Sequence, residues 1–160
     1  MGYNVMIVDD AAFMRFVLER ILREHRYKIV AEAASGREAV ERYKTYRPDL
    51  VIMDITMPES GIDAVKQIIA FDPSAKVLMC SAMGQAAMIK EAIMSGAKDF
   101  LVKPLERERV VEAVVKLIGV PPEPTYDEDI EEVEDPVSGE KRKMSNLERR
   151  LRYKLSRGID

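Results

Sequence analysis

Near the start of the sequence, two adjacent carboxylates, Asp9 and Asp10, directly follow the apolar run VMIV (5–8). Three further polar residues each follow an apolar run of their own: Asp54, Ser81 and Lys103. Like charges a few ångströms apart repel, and burial makes each charged group costlier, so adjacent acids at the end of a buried strand indicate a bound cation. Capping of the following helix is the simpler explanation, but it accounts for only one of the two acids.

The residue types at these positions favour magnesium-dependent phosphoryl transfer. Carboxylate oxygens with no histidine among them are the ligands that Mg²⁺ prefers. Asp54 can attack a phosphorus atom while the metal and Lys103 neutralise charge on the phosphoryl oxygens, and Ser81 can donate a hydrogen bond to one of them. Each residue also has a structural explanation, as a turn aspartate, a helix-capping serine or a solvated lysine. Their occurrence together at four strand ends favours the chemical explanation.

Five apolar segments predict the strands that bring these side chains together. They are VMIV (5–8), YKIVAEAA (27–34), LVIM (50–53), VLMC (77–80) and FLV (100–102). Continuous apolar runs are typical of parallel strands buried on both faces, whereas the weaker, alternating second segment suits an edge strand. Because the carboxyl ends of parallel strands lie at one edge of a sheet, the polar side chains should meet there.

Segments with helical spacing separate these strands and predict five amphipathic helices. Gly96 follows the fourth helical segment and Gly119 follows the fifth, where glycine is a common stop signal. Five strand–helix units predict a doubly wound α/β domain over residues 1–120.

Four ordered motifs, IVDDAAFMR, DLVIMDITMP, CSAMG and AKDFLVKP, resemble the receiver domain of two-component response regulators. More narrowly, they resemble the stand-alone chemotaxis response regulators of the CheY type. The resemblance spans the predicted α/β domain almost to its end. It implies a flavodoxin-like fold in which five parallel strands in the order 2-1-3-4-5 are flanked by five helices.

The resemblance implies a phosphoacceptor and a Mg²⁺ site. Asp54 is the implied phosphoacceptor, and Asp10 and Asp54 are implied metal ligands. Asp9 is expected to act on the metal mostly through water, and the backbone carbonyl of Thr56 is a further implied ligand.

The resemblance also implies a switch. Ser81 is the implied switch hydroxyl, Lys103 binds the phosphoryl group, and Phe100 occupies the aromatic switch position. The bond between Lys103 and Pro104 is expected to be cis, which proline permits at modest cost.

Two features depart from the family pattern. The loop DITMPESG has one residue fewer between Asp54 and Gly61 than the usual family spacing, which is expected to reshape the loop. Phe100 stands where tyrosine is common and has no hydroxyl to form a hydrogen bond, so switching there is expected to depend on packing.

By resemblance, the protein is a phosphoacceptor rather than an enzyme, since it catalyses only its own phosphorylation and dephosphorylation. The implied partners are a histidine kinase as phosphodonor, a flagellar motor-switch protein or other effector, and a separate phosphatase. A phosphorelay receiver outside motility is an alternative. An aspartyl phosphatase would need a second acid where Thr56 stands, and a nucleotide-binding module would need a glycine-rich phosphate loop.

The composition changes at Pro121. Residues 121–140 read as an acidic, proline-containing linker, and residues 141–160 as a basic amphipathic helical tail with Ser145 as its cap. The tail predicts a contact with a protein partner or with a nucleotide second messenger such as cyclic di-GMP, which the arginine-rich tails of some CheY-like proteins bind. The candidate contact residues are Arg149, Arg150, Arg152, Tyr153 and Arg157. The tail is too short for a helix-turn-helix module, which argues against DNA binding.

Composition favours a cytoplasmic protein that does not insert into a membrane. No apolar stretch approaches the roughly 18 residues that a spanning helix needs, and the N-terminal residues lack the pattern of a signal peptide. The single cysteine, Cys80, lies in an apolar run and is expected to pack as a small apolar side chain.

Overall fold

The computed structural model describes residues 2–123, 130–134, 138–139 and 141–145 of the 160-residue chain. The chain divides into two compact units, Met1–Pro121 and Pro122–Asp160.

The first unit contains one five-stranded parallel sheet. Its strands are β1 (Asn4–Val8), β2 (Lys28–Ala33), β3 (Leu50–Asp54), β4 (Val77–Ser81) and β5 (Asp99–Val102). They lie in the order β2-β1-β3-β4-β5, and every neighbouring pair is parallel. This arrangement confirms the predicted flavodoxin-like receiver fold and the edge position of β2.

Five helices connect and cover the strands. They are α1 (Ala12–Glu24), α2 (Gly36–Tyr46), α3 (Gly61–Phe71), α4 (Ala86–Met94) and α5 (Arg107–Ile118). The side chains of Ser35 and Ser60 accept backbone hydrogen bonds at the N-termini of α2 and α3, as capping serines do. Gly119 ends α5 with φ of 81°, a conformation that glycine adopts without strain.

The two faces of the sheet pack against different helices, which explains the continuous apolar runs. Along β3, Val51 and Met53 belong to a cluster that includes residues of α2 and α3, whereas Leu50 and Ile52 belong to a cluster with residues of α1 and α5. The Cys80 side chain is buried in the second cluster, as predicted, and burial raises the pKa of its thiol to about 12.

The second unit contains an antiparallel pair of strands, β6 (Ile130–Glu134) and β7 (Lys141–Ser145). β6 lies within the predicted acidic linker, and β7 ends at Ser145, the predicted cap of the basic helix, so the linker and the helical tail stay predictions. The register places Glu132 opposite Lys143 and Glu134 opposite Lys141.

The remainder of the predicted helix and all five candidate contact residues lie outside the described residues: Arg149, Arg150, Arg152, Tyr153 and Arg157.

In the described part of the chain, the helices are all too short or too polar to cross a membrane.

Candidate functional site

The carboxyl ends of β1, β3, β4 and β5 position the candidate site. Asp54 is the last residue of β3 and Ser81 is the last residue of β4, while Asp9 and Lys103 directly follow β1 and β5. The register pairs Asp54 with Cys80, so the parallel strands end at nearly the same level. The fold thus brings the predicted residues together at one edge of the sheet.

Three carboxylates form a compact cluster at this edge. One carboxylate oxygen from each of Asp9, Asp10 and Asp54 lies within 4.8 Å of the other two. Asp9 and Asp54 are buried, and Asp10 is exposed. The N-cap of α1 is Ala11, whose side chain offers no cap, and Asp9 accepts the Ala11 amide at 2.9 Å. Helix capping by Asp10 is therefore not the reason for the acidic pair.

Lys103 lies between two of the carboxylates. Its Nζ is 3.2 Å from Oδ2 of Asp9 and 3.3 Å from Oδ2 of Asp54. Burial opposes the charged ammonium, but Asp54 and Asp9 together outweigh it, so the pKa of Lys103 is raised. The lysine therefore stays cationic beside the two buried acids.

The surroundings of the Asp54 carboxyl disfavour its charged form. Burial raises its pKa, with the charge of Asp9 acting in the same direction, and this outweighs the amide of Thr56 and the ammonium of Lys103. The Thr56 amide donates to Oδ1 of Asp54 at 3.1 Å. One cation is thus too few for this cluster, and a second positive charge would favour the ionised form.

Ser81 is completely buried, and within the described residues its Oγ has no hydrogen-bond partner. It does not cap the following helix, which begins five residues later at Ala86. A buried hydroxyl without a hydrogen-bond partner costs free energy. An oxygen atom of a group attached to the Asp54 carboxylate would accept a hydrogen bond from it. The Lys103 amide donates to the Ser81 carbonyl at 2.7 Å, and the Lys103–Pro104 bond is cis, as the resemblance implies.

The donor set of this cluster fits Mg²⁺. It offers hard carboxylate oxygens, one of them exposed to solvent, which suits an ion that keeps several of its waters. Asp9, Asp10 and Asp54 are the side chains that could hold the ion. The Thr56 carbonyl stays a predicted ligand.

Contacts at both ends hold the loop between β3 and α3. The Gly61 amide donates to the Ile55 carbonyl at 3.2 Å, and a Cβ at Gly61 would lie 2.3 Å from the Asp54 carbonyl oxygen. Midway, Oε2 of Glu59 accepts the Arg37 amide at the start of α2, at 2.9 Å. Close backbone approach and this second anchor hold the loop, whose shorter length relative to the family spacing stays a prediction.

Two side chains contribute to the site without having been predicted from the sequence. Arg15 donates to the Asp9 carbonyl at 2.6 Å and pairs with Glu32 at 3.3 Å. Gln85 donates to Oγ1 of Thr56 at 2.7 Å. Arg15 is the last residue of the IVDDAAFMR motif, which was a signal for its role. Gln85 directly follows the CSAMG motif, and a glutamine by itself does not indicate a functional site.

Phe100 lies on the edge strand β5, with 41% of its surface exposed. The register places it opposite Met79, and it places Val102 opposite Ser81. Side chains two residues apart share a face of a strand. Phe100 therefore lies on the same face of β5 as Val102, the residue opposite Ser81.

Residues 5–115 match the model of the response regulator receiver domain. The chain therefore belongs to the response regulator receiver family.

Within this family, the chain is similar to the chemotaxis protein CheY of several organisms. It is 59% identical to CheY of Thermotoga maritima over 118 residues, which cover 73% of this chain and 98% of that protein. It is 53% identical to CheY of Bacillus subtilis over 120 residues, which cover 74% of this chain and all of that protein. A solved CheX–CheY–BeF₃–Mg²⁺ complex from Borrelia burgdorferi contains a chain with 41% identity and a TM-score of 0.69, covering 71% of this chain and 87% of that one.

Proposed function

We propose that this protein accepts a phosphoryl group on Asp54 from a histidine kinase, with Mg²⁺, and transmits the signal in chemotaxis. One observation carries the proposal. Asp54 lies beside two further carboxylates within 4.8 Å, the Lys103 ammonium 3.3 Å away and the unpartnered hydroxyl of Ser81 at the end of the next strand.

In the proposed transfer, a carboxylate oxygen of Asp54 forms a new bond to phosphorus. The bond between phosphorus and one imidazole nitrogen of the kinase histidine breaks, and its electron pair stays on that nitrogen. Because the other ring nitrogen carries a proton, the imidazole leaves as the neutral ring. Lys103 stabilises charge on the phosphoryl oxygens, as cations do in phosphoryl transfer. The Ser81 hydroxyl gains an acceptor in the product.

Asp9, Asp10 and Asp54 would hold Mg²⁺, with the predicted Thr56 carbonyl as a further ligand. When bound, the ion supplies positive charge that offsets the charge of the carboxylates and the phosphoryl oxygens. The similar Borrelia burgdorferi structure carries Mg²⁺ together with BeF₃, which supports this part of the proposal.

The proposed output is a change in the surface near α4, β5 and α5. Movement of the Ser81 hydroxyl toward a phosphoryl oxygen would leave space in the interior, and Phe100, at 41% exposure, would turn inward to fill it. The exposed apolar side chains of Met94, at the end of α4, and Val102, on β5, would then be part of a different surface for an effector.

Similarity to CheY over nearly the whole length of the curated relatives supports chemotaxis as the pathway. A flagellar motor-switch protein is the proposed effector, and a separate phosphatase is proposed to end the signal. Each of these partners acts in the cytoplasm, so this is the proposed location.

Intact-mass measurement after incubation with acetyl phosphate and Mg²⁺ tests the acceptor chemistry. Wild-type protein should gain the mass of one phosphoryl group, Asp54→Asn should gain none, and Asp63→Asn, an exposed acid on α3, should behave as wild type. Phosphorylation of Asp54→Asn to the wild-type extent would contradict the assignment.

The pathway is tested separately in cells. Expression in a Bacillus subtilis strain that lacks CheY should restore biased swimming, and the Asp54→Asn variant should not. Normal phosphorylation in vitro without any effect on swimming would place the protein in another phosphorelay.

A further inference from the structure

Gln85 connects two loops of the candidate site through its side-chain amide. Its Oε1 accepts the backbone amide of Ala82 at 2.7 Å, and its Nε2 donates to Oγ1 of Thr56 at 2.7 Å. The same Nε2 lies 3.7 Å from Sδ of Met88 in the first turns of α4. One side chain at the N-cap position of α4 is therefore bonded to both loops.

The two partners of Gln85 each adjoin a functional group. Thr56 follows Asp54 by two residues, and its amide donates to Oδ1 of Asp54 at 3.1 Å. Ala82 directly follows Ser81, whose buried Oγ has no partner within the described residues. Gln85 thus connects the loop of the phosphoacceptor to the loop of the switch hydroxyl.

The loop between β4 and α4 is exposed to solvent. Met83 is 80% exposed, and Gly84 has φ of 87°, in the region that favours glycine. Since the loop buries little apolar surface, its hydrogen bonds determine its conformation to an unusual degree.

We propose that Gln85 is a latch that holds the site in its unphosphorylated arrangement and opposes phosphorylation. The inference rests on the proposed function, because it concerns the regulation of that same site. Gln85 acts here as a positioning residue, through Thr56 and Ala82.

The reason is that the Gln85 side chain and a phosphoryl group on Asp54 compete for the backbone amide of Ala82 as a hydrogen-bond donor. In this arrangement the Ala82 amide is used by the neutral amide oxygen of Gln85. A phosphoryl group on Asp54 brings three strong acceptor oxygens beside Ser81, and charged acceptors form stronger hydrogen bonds than neutral ones. When Ser81 and its loop turn toward those oxygens, the bond between Ala82 and Gln85 is lost. An interaction that exists in only one of two states favours that state by its own free energy.

The first test measures the affinity for fluoroberyllate, a mimic of the phosphoryl group, by calorimetry with the full chain and saturating Mg²⁺. Gln85→Ala should bind fluoroberyllate about fivefold more tightly than wild type, the effect of one lost hydrogen bond of ordinary strength. Gln67→Ala removes an exposed glutamine of α3 and should leave the affinity unchanged.

A double-mutant cycle with Thr56→Val tests the connection between the loops. If Gln85 acts through Thr56, the effects of the two substitutions on fluoroberyllate affinity should be non-additive. Amide hydrogen exchange without metal gives a readout that does not depend on phosphoryl chemistry. Exchange at Ala82 should be faster in Gln85→Ala, while exchange at Lys103, whose amide donates to the Ser81 carbonyl, should not change.

The outcomes separate the two proposals. Unchanged or weaker fluoroberyllate binding by Gln85→Ala, additive effects in the cycle, or unchanged exchange at Ala82 would each overturn the latch while leaving phosphoryl acceptance intact. If the wild-type chain does not bind fluoroberyllate with Mg²⁺, both the proposed function and the proposed role of Gln85 are contradicted.

Discussion

Replacing Asp54 with asparagine is expected to stabilise the metal-free protein, although it removes the proposed phosphoacceptor. Burial raises the pKa of the Asp54 carboxyl above its ordinary value of 3.8. A carboxyl whose pKa is raised by folding contributes stability that is complete below the unfolded value and is lost as the pH rises through the folded value. At pH 7 the carboxylate therefore lowers the free energy of unfolding, and a neutral amide does not.

The charges around Asp54 set the size of the effect. Lys103 at 3.3 Å contributes about 5 kcal/mol of attraction at an effective dielectric constant of about 20. Asp9, within 4.8 Å, contributes about 3.5 kcal/mol of repulsion or more on the same scale, and the exposed Asp10 adds a screened amount. These interactions nearly cancel, so the cost of burying the charge, which is several kcal/mol, determines the sign.

We expect the free energy of unfolding of Asp54→Asn to exceed that of wild type by about 1–3 kcal/mol. The asparagine side-chain oxygen can still accept a hydrogen bond from the Thr56 amide, and Lys103 keeps Asp9 as a partner at 3.2 Å. Glu112→Gln removes an exposed acid of α5 as the matched control, and it should change stability by less than about 0.5 kcal/mol.

Urea unfolding at pH 7 with a chelator measures this difference. It should shrink on adding Mg²⁺, which binds the folded wild type more tightly than the variant, and it should also shrink near pH 3, where Asp54 is protonated in both states. An Asp54→Asn variant less stable than wild type at pH 7 without metal would refute the electrostatic reasoning.

Four further substitutions test other parts of the structure. Asp10→Asn should weaken Mg²⁺ binding about tenfold in calorimetry, whereas Lys103→Met should still bind the ion; equal affinity of Asp10→Asn and wild type would remove Asp10 from the ligand set. Asp72→Ala should cost about 1 kcal/mol at pH 7, because hydrogen bonds from Ser74 and Tyr43 lower the pKa of Asp72. In thermal unfolding this deficit should disappear as the pH falls through that lowered value, and a pH-independent deficit would argue against the carboxylate. Gly61→Ala places a Cβ 2.3 Å from the Asp54 carbonyl oxygen and should cost about 2 kcal/mol or more in urea unfolding; unchanged stability would contradict this reasoning.

The sheet and the placement of the site could be predicted from the sequence because local patterns determine both. The apolar runs of β1, β3 and β4 are continuous because both faces of these strands are buried. Parallel strands then bring Asp9, Asp54 and Lys103 to one edge without any detailed knowledge of packing.

Contacts that join distant segments could not be predicted in this way. The bond of Gln85 to Thr56 spans 29 residues, and a glutamine side chain is compatible with many environments. The β6–β7 pair could not be predicted because its register depends on both segments, whereas helical spacing is a property of one. Periodicity describes a segment by itself, and strand pairing is a property of two.

The central claim, that Asp54 accepts the phosphoryl group, is tested most directly by trapping the product. The full chain is incubated with acetyl phosphate and Mg²⁺, reduced with borohydride, which converts an aspartyl phosphate to homoserine, and mapped by peptide mass spectrometry. Our account predicts homoserine at position 54 and unmodified aspartate at positions 9 and 10. Conversion at either of those two positions instead, or none at position 54 in folded protein, would contradict it.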